Sequence, residues 1–369
     1  MNAPAQVLIA GAGPTGLAAA LFLSRAGVSV RLIDPKPEPA TTSKALAVNP
    51  RTLELLAPTG VTDQIRAEGQ GVNAVRIARD GRVVATLRPR WDKIAPGRPM
   101  TILPQARTEA LLADALTAFG VMAERNLGLS GVSQDNGGVT ASLTNGETVR
   151  ASLLLGADGA HSATRHALGL DFPGDASDTL WSLADVDIEG APQDEARIEF
   201  QPQGPLVILP FSGGTFRLIG FGDDLLGRLP QGWKATSVRW SSDFRVSHRM
   251  VEQMTVGRVA LAGDAAHIHS PIGGRGMNLG IEDAYVFAAC VVDFLGGQPD
   301  RLNDYDRLRR EVDGGWVAAS RRLTGFMENP SPAARMIRRL APPLAAAVPM
   351  LVERALKAGM GLDHPVRVR

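Results

Sequence analysis

Three glycine-rich segments, far apart in the chain, have residue types that suit a dinucleotide. The sequence reads GAGPTG from Gly11, GADG from Gly156 and GDAAH from Gly263. Glycine lets the backbone approach a phosphate closely, and the free N–H groups at the start of a helix favour anions. Each segment alone is a weak signal. Together they predict that the chain surrounds one long dinucleotide.

The first segment has the spacing of a phosphate-binding turn. Gly11 permits a tight turn after a strand, Gly13 lets the backbone approach a pyrophosphate, and Gly16 lets the next helix pack closely. Asp34 follows Gly16 by eighteen residues, where a carboxylate can accept a hydrogen bond from a ribose hydroxyl. The predicted binding residues of this part are Gly11, Ala12, Gly13, Pro14, Thr15, Gly16 and Asp34.

The third segment favours FAD over NAD. A carboxylate in a tight Gly-Asp turn, here Asp264, suits the ribityl chain that only a flavin carries. The glycines of PIGGRGMN, which begins at Pro271, permit close approach to a flat ring. The dipole of the helix that follows would stabilise negative charge on a reduced flavin. We therefore predict FAD, bound in this part by Asp264, Pro271, Gly274, Gly276, Met277 and Asn278.

The elements that must position these segments are of two kinds. An apolar strand, an Ala-rich helix and a second strand at 6–33 form a βαβ unit. Alternating strands flank the turn Asp80-Gly81 and dominate again at 171–249, where Gly213-Gly214 is a hairpin turn. The sequence therefore predicts a mixed α/β fold: a Rossmann-like FAD-binding domain interleaved with a mostly antiparallel β-sheet domain for the substrate.

The predicted FAD-binding domain is discontinuous, because sheet segments interrupt it. Its parts are 1–72, 98–171 and 250–325, the substrate domain comprises 73–97 and 172–249, and 326–369 form a helical tail. The tail mixes arginines with apolar residues, so it either lies on an anionic membrane or packs as an ordinary helix. We favour packing.

Composition argues against several other kinds of protein. The formal net charge of +1 argues against a nucleic-acid partner. Cys290 is the single cysteine, which excludes an intramolecular disulfide and cysteine zinc sites, and we predict no metal. The N-terminus leaves no room for a cleavable signal, and the apolar runs fall short of the roughly 20 residues of a membrane-spanning helix. We expect a cytoplasmic protein.

These segments resemble the class A flavoprotein aromatic hydroxylases, the family of para-hydroxybenzoate and phenol hydroxylases, and within it the polyketide-hydroxylase-like branch. The resemblance covers residues 5–325. It rests on GAGPTG with Asp34, SKALAVNPRTLELL from Ser43, LPQARTEALL from Leu103, GADGAHSATRHALG from Gly156 and GRVALAGDAAHIHSPIGGRGMNLGIEDA from Gly257. The family's larger members carry a C-terminal thioredoxin-like domain, and we expect none here.

The resemblance implies further contacts with the cofactor. Gln105 would contact the ribityl and phosphate region, Leu129 the adenine side, and Pro271 the isoalloxazine. Asp158 and Arg165 belong to the family's shared FAD and NAD(P)H segment. Lys44 would also contact FAD. The chain departs from the family at two positions: Lys44 stands where arginine is usual, and Arg275 stands where many members have glutamine.

The activity implied by the resemblance is that of an FAD-dependent, NAD(P)H-using monooxygenase. It would hydroxylate an apolar aromatic or polyketide-like substrate with O2 through a flavin C4a-hydroperoxide. No residue is assigned as acid or base, and the candidates beside the flavin are His269, Pro271 and Arg275. His267 lies inside the GDAAH turn, where a structural hydrogen bond is the favoured interpretation.

Two other kinds of protein remain as alternatives. One is a related flavoenzyme, either a halogenase or an oxidoreductase that transfers hydride, although the W-x-W-x-I-P signature of flavin halogenases is absent. The other is a flavin-binding protein without turnover. Incorporation of an oxygen atom from O2 into a product distinguishes a monooxygenase from all of them.

Overall fold

The computed structural model describes residues 5–42, 45–329, 331–346 and 348–369. The first twelve strands are β1 (Val7–Ala10), β2 (Val30–Asp34), β3 (Ala47–Val48), β4 (Gln70–Gly71), β5 (Ala74–Arg79), β6 (Arg82–Leu87), β7 (Thr101–Ile102), β8 (Ala123–Arg125), β9 (Leu129–Asp135), β10 (Gly138–Leu143), β11 (Thr148–Ala151) and β12 (Leu153–Gly156). The later strands are β13 (Gly174–Glu189), β14 (Glu195–Gln201), β15 (Gly204–Pro210), β16 (Thr215–Phe221), β17 (Lys234–Met250), β18 (Thr255–Val256), β19 (Val259–Leu261) and β20 (His267–Ile268). The α-helices are α1 (Pro14–Arg25), α2 (Pro50–Leu56), α3 (Val61–Glu68), α4 (Trp91–Ile94), α5 (Gln105–Thr117), α6 (Ala163–Ala167), α7 (Gly276–Leu295), α8 (Arg301–Glu328), α9 (Pro332–Ala346) and α10 (Pro349–Gly359).

A six-stranded sheet brings the three glycine-rich segments together. Its order is β18-β19-β12-β1-β2-β8, and the neighbours from β19 to β8 run parallel. Ala10 at the end of β1 pairs with Gly156, which in turn pairs with Leu261. Because carboxyl ends of parallel strands share one edge, GAGPTG, GADG and GDAAH all leave the sheet at that edge.

Helices α1 and α7 cover this sheet and form its main core. Pro14 at the first position of α1 has a backbone suited to a helix start, and the Ala-rich sequence that follows is buried on most sides. Leu17, Leu21 and Phe287 are among the buried residues that pack here. Each contributes about 1.5–3 kcal/mol by leaving water, so the phosphate-binding turn stands on a rigid base.

An eight-stranded sheet forms the second part of the fold. Its order is β20-β17-β13-β16-β15-β14-β5-β6, and its neighbours are antiparallel except for the parallel pair of β5 and β14. Asp80 and Gly81, both with positive φ, join β5 to β6, as a two-residue hairpin turn requires. The predicted mixed α/β fold, with a parallel cofactor sheet and a mostly antiparallel second sheet, is confirmed.

The C-terminal residues pack on segments of both predicted domains. Leu356 and Met360 lie against Ile94, and Arg51 donates to the carbonyl of Gly361 at 2.7 Å. The outer side of α9 is different, since Met336, Ile337 and Leu340 are each at least half exposed. Over the part of the chain that the structure describes, every helix is too short or too polar to cross a membrane.

Candidate flavin-binding site

The glycines of the first turn have different surroundings. Gly11 has a φ of +102°, and a Cβ there would lie 2.3 Å from the carbonyl oxygen of Ala157. A Cβ on Gly16 would lie only 1.8 Å from the oxygen of Gly11. A Cβ on Gly13 would meet nothing within 4 Å. Gly11 and Gly16 are therefore fixed by packing within the protein, whereas Gly13 leaves the start of α1 open, which fits a pyrophosphate.

Asp34 is held by backbone donors at the end of β2. Its Oδ2 accepts from the Ala12 N–H at 2.7 Å and its Oδ1 from the Lys36 N–H at 2.8 Å. Arg125 lies 3.5 Å away. These bonds tie the carboxylate to the first glycine-rich turn. The contact of Asp34 with a ribose stays a prediction.

The residues assigned by resemblance lie along the same edge of the parallel sheet or beside it. Gln105 begins α5 and donates to Glu109 at 2.8 Å. Burial raises the pKa of Glu109 despite this hydrogen bond. Leu129 is buried at the start of β9. Lys44 lies outside the described residues, so its predicted contact with FAD stays a prediction.

Arg165 links the second segment to the third. Its guanidinium donates to the carbonyls of Ala160 and Ala265, both at 3.0 Å, and lies 4.0 Å from the ring centre of Phe172. Asp158 accepts from the backbone and hydroxyl of Thr164, which fixes the loop after β12. Two segments that are a hundred residues apart in sequence thus form one surface.

The GDAAH turn is fastened by a carboxylate from α7. Asp283 Oδ2 accepts from the Gly263 N–H at 2.9 Å and from His267 Nε2 at 2.7 Å. The hydrogen bond predicted for His267 is therefore present, although its partner was missed. Asp283 follows Glu282 in the otherwise largely apolar helix α7, and these adjacent acids were the available sequence signal of a buried charged partner. Asp264 is exposed at the top of this turn.

Asn278 locks the loop before α7 to strand β3. Its amide nitrogen donates to Ala47 at 2.8 Å and Gly274 at 2.7 Å, and its oxygen accepts from the Asn49 N–H and from Thr52. The side chain is fully buried. Its polar atoms are thus used within the protein, and any contact of Asn278 with FAD falls to its backbone.

The other predicted residues of PIGGRGMN lie in the same loop. Gly273 and Gly274 both have positive φ, and a Cβ on Gly274 would lie 3.1 Å from Ala47. Gly276 and Met277 open α7. These positions bring the loop against residues 47–52, as a shared flavin site requires.

Arg275 departs from the family and is buried. Its guanidinium lies 4.8 Å from the ring centre of Trp316, 3.7 Å from Glu282 and 3.4 Å from the carbonyl of Ala358. Burial lowers the pKa of Arg275. The side chain therefore joins the loop to α8 and to the C-terminal residues. Trp316 was not singled out from the sequence, because it lies forty residues beyond the loop.

His269 is held beneath the loop as a neutral imidazole. Its Nδ1 lies 2.8 Å from the carbonyl of Ser270 and 3.3 Å from the indole nitrogen of Trp316, whose ring it meets edge-on. Burial lowers the pKa of His269 to about 3. The imidazole is thus uncharged at neutral pH, which does not suit it to donate a proton as an imidazolium.

Replacing His269 by asparagine is expected to remove an acid-sensitive part of the stability. The pKa of His269 falls from an ordinary 6.5 to about 3 on folding, so native stability is lost as the pH falls below about 6.5. At pH 5 this loss amounts to about 2 kcal/mol. Thermal unfolding at pH 5 and pH 7 should therefore differ less in the variant than in the wild type.

The exposed His161 supplies a matched control for that measurement. His161→Asn should leave the difference between pH 5 and pH 7 as it is in the wild type. If His269→Asn and His161→Asn behaved alike, the imidazole of His269 would not be buried in solution as it is in the structure.

The chain is similar to known FAD-binding proteins over the segments that form this site. The family model described as FAD binding domain matches residues 4–216 and 231–320. The chain is 36% identical to 6-methylpretetramide 4-monooxygenase from Streptomyces rimosus over 87% of its own length and 62% of the relative's. It is 32% identical to rifampicin monooxygenase from Streptomyces venezuelae over 91% of its own length and 74% of the relative's.

A solved structure shows the same fold over nearly the full length. It is p-nitrophenol 4-monooxygenase from Pseudomonas putida DLL-E4, with a TM-score of 0.87 over 98% of this chain and 99% of that one, at 24% identity. The family match covers all three glycine-rich segments that meet at the edge of the parallel sheet. The chain belongs to the FAD-binding domain family and, within it, to the class A FAD-dependent aromatic hydroxylases.

Proposed function

We propose that this chain is a monooxygenase that uses FAD, NAD(P)H and O2 to hydroxylate an apolar aromatic or polyketide-like substrate. FAD supplies the redox and oxygen chemistry when it is bound. The protein supplies binding, orientation and exclusion of water. The relatives named above support the reaction class, and the chain spans 62% of the first of them.

One observation carries the proposal: an apolar face of the second sheet lies beside the PIGGRGMN loop, which precedes and opens α7. Leu209 and Phe211 belong to one apolar cluster with Leu46, Ile102 and Ala47. Ala47 is also the neighbour that a Cβ on Gly274 would meet. The second sheet and the loop that opens α7 therefore meet at Ala47.

The same sheet face continues as a largely apolar wall. Leu206 and Ile208 of β15 pack in a separate apolar cluster on one face of the sheet. Because successive side chains alternate, Val207 and Leu209 lie on the opposite face, which is the face that contacts Ala47. Val207 pairs with Ile219, which is half-buried. These side chains favour a lipophilic substrate of one or several rings.

Aromatic side chains extend this face towards α8. Trp181 meets Phe221 edge-on with ring centres 4.5 Å apart, stacks near Phe244 at 6.4 Å and donates its indole N–H to Glu328 at 3.0 Å. Arg217, which lies on this face, makes a two-point ion pair with Asp185 at 2.7 Å. The pair has no net charge, which suits an uncharged substrate.

Both tyrosines serve packing, which supports a reaction without a tyrosine base. Tyr305 is buried and donates its hydroxyl to the carbonyl of Leu261 at 2.7 Å, and burial raises its pKa well above the ordinary value. Tyr285 packs edge-on against Phe22. A substrate that already carries electron-donating groups needs no such base.

The purified protein is expected to show a flavin spectrum and substrate-stimulated oxidation of NADH or NADPH. The panel should contain phenols, hydroxyquinones and polyketide aromatics, and the reaction should run under 18O2. Incorporation of one labelled oxygen atom into the product supports the proposal. Oxidation of the nicotinamide without label in any product, or a flavin that neither nucleotide reduces, would overturn it in favour of a hydride-transfer or non-catalytic flavoprotein.

A further inference from the structure

A cluster of buried charged side chains lies directly behind the GDAAH turn. We name its members, His267, Asp283, Arg309 and Asp313, the buried ion network. Arg309 binds Asp283 Oδ1 through Nε and Asp313 Oδ1 through Nη2, both at 2.7 Å. Asp313 Oδ2 lies 3.5 Å from His267 Nε2. All four side chains are at most 3% exposed.

Asp283 joins this network to the cofactor turn. One oxygen, Oδ2, accepts from Gly263 at the start of the turn and from His267 at its end. The exposed Asp264 lies between those two points. Any change in the charge or position of Asp283 therefore moves the segment that carries the predicted ribityl contact.

The charges of the network balance only if it holds a proton. Asp283, Asp313 and the neighbouring Glu282 contribute three negative charges, and Arg309 with the nearby Arg275 contributes two positive charges. An uncompensated charge in a buried site is costly. Protonated His267 supplies the missing positive charge and still donates to Asp283.

The groups around His267 agree with this balance. Burial alone would lower its pKa, but the carboxylates of Asp313 and Asp283, with Asp264 on its own turn, raise the pKa of His267 to about 9. Burial raises the pKa of Asp313. The opposing neighbours are the Arg309 guanidinium on α8 and His269, which is neutral. One proton is thus retained well above neutral pH.

We propose that the buried ion network is a positioning element for FAD, and that the proton it holds fixes the GDAAH turn. His267 and Asp313 act through this turn and are positioning residues. Loss of the proton leaves a net negative charge beside Asp283 and loosens the turn. The inference rests on FAD binding at this site and is independent of the oxygen transfer proposed above.

The test compares FAD affinity at pH 7 and pH 9.5, measured by serial dilution of the holoprotein with released flavin read by fluorescence. Wild-type affinity is expected to weaken up to about fourfold between these values. In Asp313→Asn the amide still accepts from Arg309, but two acids now face two arginines, so no extra proton is needed. Its affinity should change less than about twofold.

Asp304→Asn is the matched control on the same helix. Asp304 is partly exposed and pairs with Arg301 and Arg307, away from the turn. It should reproduce the pH dependence of the wild type, including any change caused by ionisation of FAD itself. A wild-type affinity that does not depend on pH would overturn the proposal, and so would an Asp313→Asn profile equal to that of the control.

His267→Gln provides a second, independent variant. Its side-chain amide can still donate to Asp283, but it cannot gain or lose a proton between pH 7 and pH 9.5. Its FAD affinity should already lie below that of the wild type at pH 7, even if Asp313→Asn fails to fold, because three acids then face two arginines without the imidazolium. An affinity of His267→Gln equal to that of the wild type at pH 7 would overturn the proposal.

Discussion

Alanine at Gly16 is expected to prevent the cofactor-binding part from folding stably. The added Cβ would lie 1.8 Å from the oxygen and 3.0 Å from the carbon of the Gly11 carbonyl. These are backbone atoms, so no side-chain rotation relieves the overlap. Gly11 itself cannot retreat, because it is already packed on the backbone of Ala157. We expect a loss of about 4 kcal/mol or more in the free energy of unfolding.

Gly13→Ala is the control that separates folding from cofactor binding. Its φ of −79° suits any residue, and the added Cβ meets nothing within 4 Å. Thermal unfolding of the apoprotein should match the wild type, whereas FAD affinity should fall about tenfold or more, because the methyl group enters the predicted path of the pyrophosphate. A Gly16→Ala protein that unfolds like the wild type would contradict the packing argument, and unchanged affinity in Gly13→Ala would contradict the placement of the phosphates.

The glycine-rich turns were predictable because their chemistry is local. A tight turn, a close backbone approach and a helix start all lie within six residues of Gly11, so their order in the sequence already determines the geometry. The hairpin at Asp80-Gly81 is local in the same sense. By contrast, β5 pairs with β14 in parallel, and these strands are more than a hundred residues apart. No short pattern determines such a register.

The buried ion network was not predictable from the sequence either, because its members also lie far apart in the chain. His267, Asp283 and Asp313 come from a turn and two helices, and they meet only because α7 packs on α8. Arg275 is a second case in which the sequence does not determine the partner of a side chain. Its sequence position predicts a cation near the flavin edge, which stays a prediction, and no sequence pattern indicated that its guanidinium packs on the ring of Trp316, a residue of α8.

Replacing Arg309 by methionine is expected to cause the other large loss of stability. Arg309 lies within 2.7 Å of both Asp283 and Asp313 and within 3.4 Å of Glu282, and all three acids are fully buried. Removing the cation leaves their charge without compensation. Breaking a buried ion pair in this way costs about 3–5 kcal/mol, which denaturant unfolding at pH 7.5 would measure.

Arg307→Met is the matched control for this substitution. Arg307 lies two residues away on α8, is largely exposed, and pairs only with the partly exposed Asp304 among the residues that the structure describes. Its loss should leave stability unchanged within error. The gap between the two variants should narrow at pH 5, because without Arg309 the buried carboxylates take up protons more readily and thereby lose their uncompensated charge. Equal stability of the two variants at pH 7.5 would show that the acids behind the GDAAH turn are neutral without the help of Arg309.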